Sequence, residues 1–85
     1  MQIDKRFKIE VLDGHNVIID EENGKVLGVV DFNEIKLFLW DKAKERDLDK
    51  NQMLTEILNR FDISTVLALG EIDYFIKKIK EYGIV

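Results

Sequence analysis

The spacing of hydrophobic positions changes near residue 31. Along residues 7–11, apolar side chains alternate with Lys8 and Glu10, which is the period of a strand with one buried face. Beyond residue 31, three successive stretches carry apolar residues at helical spacing, and the last ends at Gly83. This order predicts an α+β fold in which a small antiparallel sheet is followed by three helices.

Turn residues divide the first part into three strands. Asp13 and Gly14 separate the first strand from a second over residues 16–20, and the sequence Glu-Asn-Gly at 22–24 precedes a third over residues 25–30. Asn and Gly tolerate the positive φ that a tight hairpin needs. Gly28, inside the third strand, indicates a bulge or a close approach of another group to the backbone.

The first helix is predicted to begin at a cap formed by Asp31 or Asn33 and to end near Arg46. Its apolar residues between positions 35 and 40 are too dense for one stripe. We therefore expect this helix to be largely buried.

The second and third helices have clearer starts. Asp49, with Gln52 three residues later, resembles a capping box, and Ser64 can cap the third helix, which Gly83 ends. The interior positions share helical spacing and are Met53, Leu54, Ile57, Leu58 and Phe61 in the second helix and Leu69, Ile72, Phe75, Ile76, Ile79 and Tyr82 in the third.

Composition bounds the class of protein. A chain of 85 residues, 46% hydrophobic and 35% charged, is expected to form a single domain over residues 1–85 with one modest core. It has no Cys, no run of membrane-spanning length and no apolar signal segment at its start, so a cytoplasmic location without a membrane is expected.

Candidate catalytic groups are almost lacking. The single histidine, His15, lies in a predicted turn without a neighbour at metal-ligand spacing, and the five glycines never follow the spacing of a phosphate loop. Acidic pairs at 21–22 and at 47 and 49 are too few for a calcium loop and fit turns and caps. The sequence predicts a protein that is not an enzyme and holds no metal or cofactor.

Several short motifs carry a family resemblance. Asn33 precedes Leu39-Trp40, and these are followed by Phe-Asp-Ile-Ser at 61–64, Glu-Ile-Asp-Tyr-Phe-Ile at 71–76 and Gly-Ile-Val at 83–85. Over residues 16–85 this order and spacing resemble the PqqD family of recognition elements for precursor peptides. Ile35 and Lys36 stand where small residues are common in that family, and Glu71 stands where Asp is usual, so the pathway is left open.

The resemblance implies a fold and a function. Family members have a three-stranded sheet and three helices in a winged-helix-like arrangement. They bind the leader of a ribosomally synthesised precursor peptide and present it to a modifying enzyme such as a radical-SAM protein, a dehydratase or a leader protease. They perform no chemistry themselves, which agrees with the missing catalytic groups.

The resemblance also implies a site, because in the family the leader adds as a strand beside the third strand and lies against the third helix. The corresponding peptide-binding residues here are Lys25, Val26, Leu27, Gly28, Val29, Val30 and Asp31 on the strand and Leu69, Ile72, Asp73, Ile76 and Lys80 on the helix. Apolar residues on both faces of the strand suggest a partner, although ordinary strand packing also explains them, and Ile72 equally fits the core. Lysines 77, 78 and 80 suit an acidic leader or a solvated helix end.

Two other classes of protein fit the same order of elements. A winged-helix DNA-binding protein is one, but 17 acidic residues outnumber 13 basic ones and the net charge is −4, which favours no nucleic-acid partner. The other is a structural module that forms a homodimer through the edge of the third strand. Dissociation of such a dimer on addition of a leader peptide would decide between leader binding and a purely structural role.

Overall fold

A computed structural model describes residues 1–85. Three strands, β1 (Phe7–Leu12), β2 (His15–Asp20) and β3 (Lys25–Val30), precede three helices, α1 (Glu34–Glu45), α2 (Lys50–Arg60) and α3 (Thr65–Glu81). The strands form one antiparallel sheet in the order β1-β2-β3. The predicted α+β fold, with a three-stranded antiparallel sheet followed by three helices, is confirmed.

Two tight turns set the order of the strands. Asp13 and Gly14 have φ values of 52° and 78°, and Gly24 has a φ of 62°, which is the left-handed region that these turns require. β2 begins at His15, one residue before its predicted start, so this histidine is an exposed strand residue and its predicted place in the turn is wrong.

Caps explain where the helices begin and end. Asn33, and not Asp31, caps α1, and its side chain accepts a hydrogen bond from the Lys36 amide. The predicted capping box of α2 and the Ser64 cap of α3 are both present. At the end of α3, Gly83 has a φ of 68° and the following amide bonds back to the Ile79 carbonyl at 3.1 Å.

The helices pack together and cover one face of the sheet. The core joins Ile18 of β2 and Val30 of β3 to buried residues of all three helices, namely Leu39, Trp40, Ala43, Met53, Ile57, Ala68, Ile72, Phe75 and Ile79. Leu58 is 39% exposed and Phe38 half-buried, so α2 has a narrower interior face and α1 is less buried than predicted. None of the helices is both long enough and apolar enough to cross a membrane.

Candidate functional site

One side of β3 has no neighbouring strand. β2 pairs with it on one side, so the other side is an open edge with backbone groups available for pairing. Ile18 of β2 faces the core, and by alternation its neighbours Val17 and Ile19 face away from the helices. Val26 and Val29 lie opposite these two residues and are 54% and 58% exposed.

A β-bulge interrupts β3 in its middle. Ile18 lies opposite Gly28, but the next residue of β2, Ile19, lies opposite Val26, so Leu27 has no partner in the register. The half-buried Leu27 side chain packs against the core. The bulge divides the open edge into a regular part from Gly28 onward and a part before it.

Tyr82, just after α3, lies against β3. Its hydroxyl donates to the Val29 carbonyl at 2.9 Å, and a Cβ built on Gly28 would stand 2.7 Å from the tyrosine ring. The glycine therefore permits the close approach that the sequence suggested. Tyr82 therefore connects the end of α3 to β3 through the Val29 carbonyl, which has a second lone pair.

We expect Gly28→Ala to destabilise the protein through this contact. The added methyl group forces the Tyr82 ring away, at a cost of about 1–2 kcal/mol, as for other overpacked sites. In a Tyr82→Ala background the same change should have almost no effect. Urea unfolding of the natural protein, the two single variants and the double variant measures the free energy of unfolding of each. An equal loss from Gly28→Ala with and without Tyr82 would exclude their contact as the cause.

Helix α3 runs along β3 in the opposite direction. The Asn33 side chain, after the end of β3, donates to the Glu71 carboxylate at 2.8 Å, and Tyr82 reaches back to Val29. The helix is about 16 Å long between Glu71 and Tyr82. The extended chain between Val29 and Asn33 has a similar length of roughly 13 Å. An extended peptide on the open edge would therefore lie beside one side of α3.

That side of α3 differs from the predicted one. Asp73 precedes Tyr82 by about two and a half helical turns, which places it on the opposite side, where it pairs with Lys50 of α2 at 2.6 Å. Leu69, Ile76 and Lys80 share its side of the helix. Ile72 is fully buried in the core. The structure therefore places the predicted helix residues in the core or on the side of α3 opposite Tyr82, and their part in peptide binding stays a prediction.

The side that faces the open edge carries a second stripe, which we call the α3 rim. Its members follow Tyr82 backward at spacings of four, four, three and four residues and are Lys78, Tyr74, Glu71 and Leu67. The Lys78 ammonium lies 5.6 Å from the centre of the Tyr74 ring and 3.1 Å from the Glu81 carboxylate. The helical spacing of the rim residues can be read from the sequence. Because the rim contains both polar and apolar residues, the sequence analysis chose the more apolar stripe that includes Leu69 and Ile76.

A partly buried ion pair joins the rim to α1. Lys36, only 8% exposed, donates to the Glu71 carboxylate, which also accepts from Asn33, and the Lys36 ammonium lies 4.8 Å from the centre of the Tyr74 ring. Burial raises the pKa of Glu71, but the hydrogen bonds from Lys36 and Asn33 and the lysine charge outweigh it, so the pKa lies below its ordinary value of 4.5. This carboxylate therefore stays ionised at neutral pH.

Beyond the end of β3, the rim continues into a shallow hollow of about 430 Å³ between α1 and α3. Ile63, Val66, Leu67 and Tyr74 supply its apolar lining. Val66 and Leu67 are 79% and 63% exposed, which is high for large aliphatic residues next to one another. No group of three or more histidine, cysteine or acidic residues is placed to hold a metal ion.

Of the predicted strand residues, Lys25, Val26, Val29 and Asp31 are exposed, Leu27 and Gly28 are half-buried, and Val30 is buried in the core. The open edge of β3, the α3 rim and the hollow are linked by two contacts, from Tyr82 to Val29 and from Asn33 to Glu71, and we call this surface the groove. It defines an α+β domain with an unpaired strand edge beside a helix. Such edges can accept an extended peptide.

Comparison of the sequence with family models and with curated proteins gives no match. Among solved structures, the chain is similar to "Lasso peptide synthetase B1 complexed with the leader peptide", with a TM-score of 0.63 and 12% sequence identity. The alignment covers 98% of this chain and 93% of that chain. The two proteins share their fold over nearly their whole lengths.

Proposed function

We propose that this protein binds the leader region of a ribosomally synthesised precursor peptide as an added strand on the open edge of β3. The observation that carries the proposal is this edge, flanked by the α3 rim, in a fold shared with a protein that was solved in complex with a leader peptide. Main-chain hydrogen bonds supply affinity with little demand on sequence, and the groove selects side chains.

The same proposal assigns no chemistry to the chain itself. Its role is to hold the leader and deliver the precursor to a modifying enzyme, with a radical-SAM protein among the candidates that the family resemblance implies. Affinity then depends on the leader alone, because the segment to be modified lies outside the groove. An ordering cost of a few kcal/mol for the flexible leader keeps the binding reversible.

A titration of ¹⁵N-labelled protein with synthetic peptides tests this function. The peptides cover the N-terminal regions of short open reading frames beside its gene, and the control is a scrambled peptide of the same composition. We expect shifts at Val29, Asp31 and the α3 rim with a leader, and much weaker binding of its scrambled form, which keeps the main chain but loses the order of side chains. No shift with any peptide would contradict the proposal.

The same samples address the alternatives. Sedimentation measures whether the free protein forms a dimer through β3, and a leader that occupies this edge should dissociate it. A shift of the protein amides on addition of duplex DNA, lost with salt, would instead favour nucleic-acid binding.

A further inference from the structure

Only part of the β3 edge offers a regular pairing surface. At the bulge, Leu27 is an extra residue, so the backbone groups before and after it are out of step with one another. Bulges of this kind often end strand pairing. An added strand that pairs regularly with Val29 therefore loses its register on reaching Leu27.

Tyr82 narrows the groove at the same point. Its ring fills the space over Gly28, and its hydroxyl occupies one lone pair of the Val29 carbonyl. The second lone pair remains for a peptide amide. The Tyr82 ring therefore occupies the place at Gly28 where a peptide side chain would otherwise pack.

The other end of the groove is open. Asp31 is exposed, and the Asn33 side chain connects the end of β3 to Glu71, which lines the hollow. The exposed side chains of Val66 and Leu67 line the same hollow. A peptide that leaves the strand edge at this end and passes Glu71 therefore comes within reach of exposed apolar side chains.

We propose that the bound peptide pairs only with residues 28–31, turns away from the protein at Tyr82, and continues past Asn33 to place an apolar side chain in the hollow against Leu67. This rests on the function proposed above and deepens it. It defines the substrate class as a short extended segment with an apolar anchor next to it, and it excludes Lys25, Val26 and Leu27 from the peptide contact.

Backbone N-methylation of the tightest-binding peptide from the titration measures the paired length. In either strand orientation, alternate residues of an added strand donate their amides to its neighbour. Pairing over residues 28–31 uses two such amides, so methylation should weaken binding at least tenfold at two positions, two residues apart, and less than twofold elsewhere. Three or four sensitive positions would overturn the short register, because pairing along all of residues 25–31 needs that many.

Amide hydrogen exchange by NMR provides a second readout on the unmodified protein. Saturation with the same peptide should slow exchange at Val29 and Asp31 at least tenfold and leave Val26 unchanged. Slowed exchange at Val26 would overturn the register while leaving the proposed function intact. If no peptide binds at all, both proposals fail.

Discussion

A Leu67→Glu variant should bind leader peptides at least about tenfold more weakly than the natural protein, a loss of about 1.4 kcal/mol, without losing stability. Leu67 is 63% exposed and adds little to the core. It is also the third residue of α3 after the Ser64 cap, where Glu completes a capping box and can raise stability slightly. In the complex, however, the carboxylate would lose water against the apolar anchor.

Calorimetric titration with the leader measures the affinity of the variant, and urea unfolding measures its stability. The matched control is Leu58→Glu, which places the same side chain on α2 at a position that is 39% exposed and outside the groove. We expect this control to bind within twofold of the natural protein. Equal affinities for the two variants would contradict a role for the hollow.

Removal of one partner of the Lys36–Glu71 pair should have the largest effect on stability. A Lys36→Met variant leaves the Glu71 carboxylate, with a side chain that is only 19% exposed, without its counter-charge. Loss of one member of a fully buried pair costs about 3 kcal/mol, which is the upper limit for this partly buried pair, whereas replacement of both members by apolar residues can be nearly neutral. Urea unfolding at pH 7 should therefore show a large loss in Lys36→Met and a partial recovery in Lys36→Met/Glu71→Met.

No recovery in the double variant would show that Lys36 acts through its contact with the Tyr74 ring and not through its ion pair with Glu71. A Lys36→Arg variant serves as the matched control, because it retains the charge at the same position. It should lose less stability than Lys36→Met.

The same pair makes stability depend on pH in a defined direction. The pKa of Glu71 is lower in the folded protein than its ordinary value of 4.5, so its contribution is complete above that value and is lost as the pH falls through the folded pKa. A Glu71→Gln variant should therefore lose less stability than the natural protein between about pH 5 and pH 3. Asp20, whose pKa is lowered by Arg6, titrates alike in both proteins and cancels. If the free energies of unfolding of the two proteins fell in parallel with pH, Glu71 would be excluded as the source of the pH dependence.

Local sequence signals predicted most of the fold. The turns at Asp13 and Gly24 and the caps at Asp49 and Ser64 depend on residues within four positions of one another, so the chain near each site is sufficient. The edge at β3 was implied by the family resemblance, and the strand order β1-β2-β3 leaves this edge open.

The helix half of the site could not be predicted in this way. Two half-apolar stripes flank the core stripe of α3, one containing Leu69 and Asp73 and the other Leu67 and Glu71. Which of them faces β3 is decided by tertiary contacts, above all by Tyr82 against Gly28. The bulge at Leu27 depends likewise on pairing with β2. From the sequence, Gly28 indicated either a bulge in the strand or a close approach of another group to the backbone. The structure contains both, the bulge at Leu27 and the Tyr82 ring against Gly28.

The hydrogen bond between Tyr82 and Val29 joins residues 53 positions apart. During synthesis, the ribosome releases β3 well before the end of α3, so Tyr82 contacts Val29 only after nearly the whole chain has emerged. The groove is assembled only when the last helix docks. On the proposed function, a chain that ends before Tyr82 would present the β3 edge to a leader without this contact at Val29.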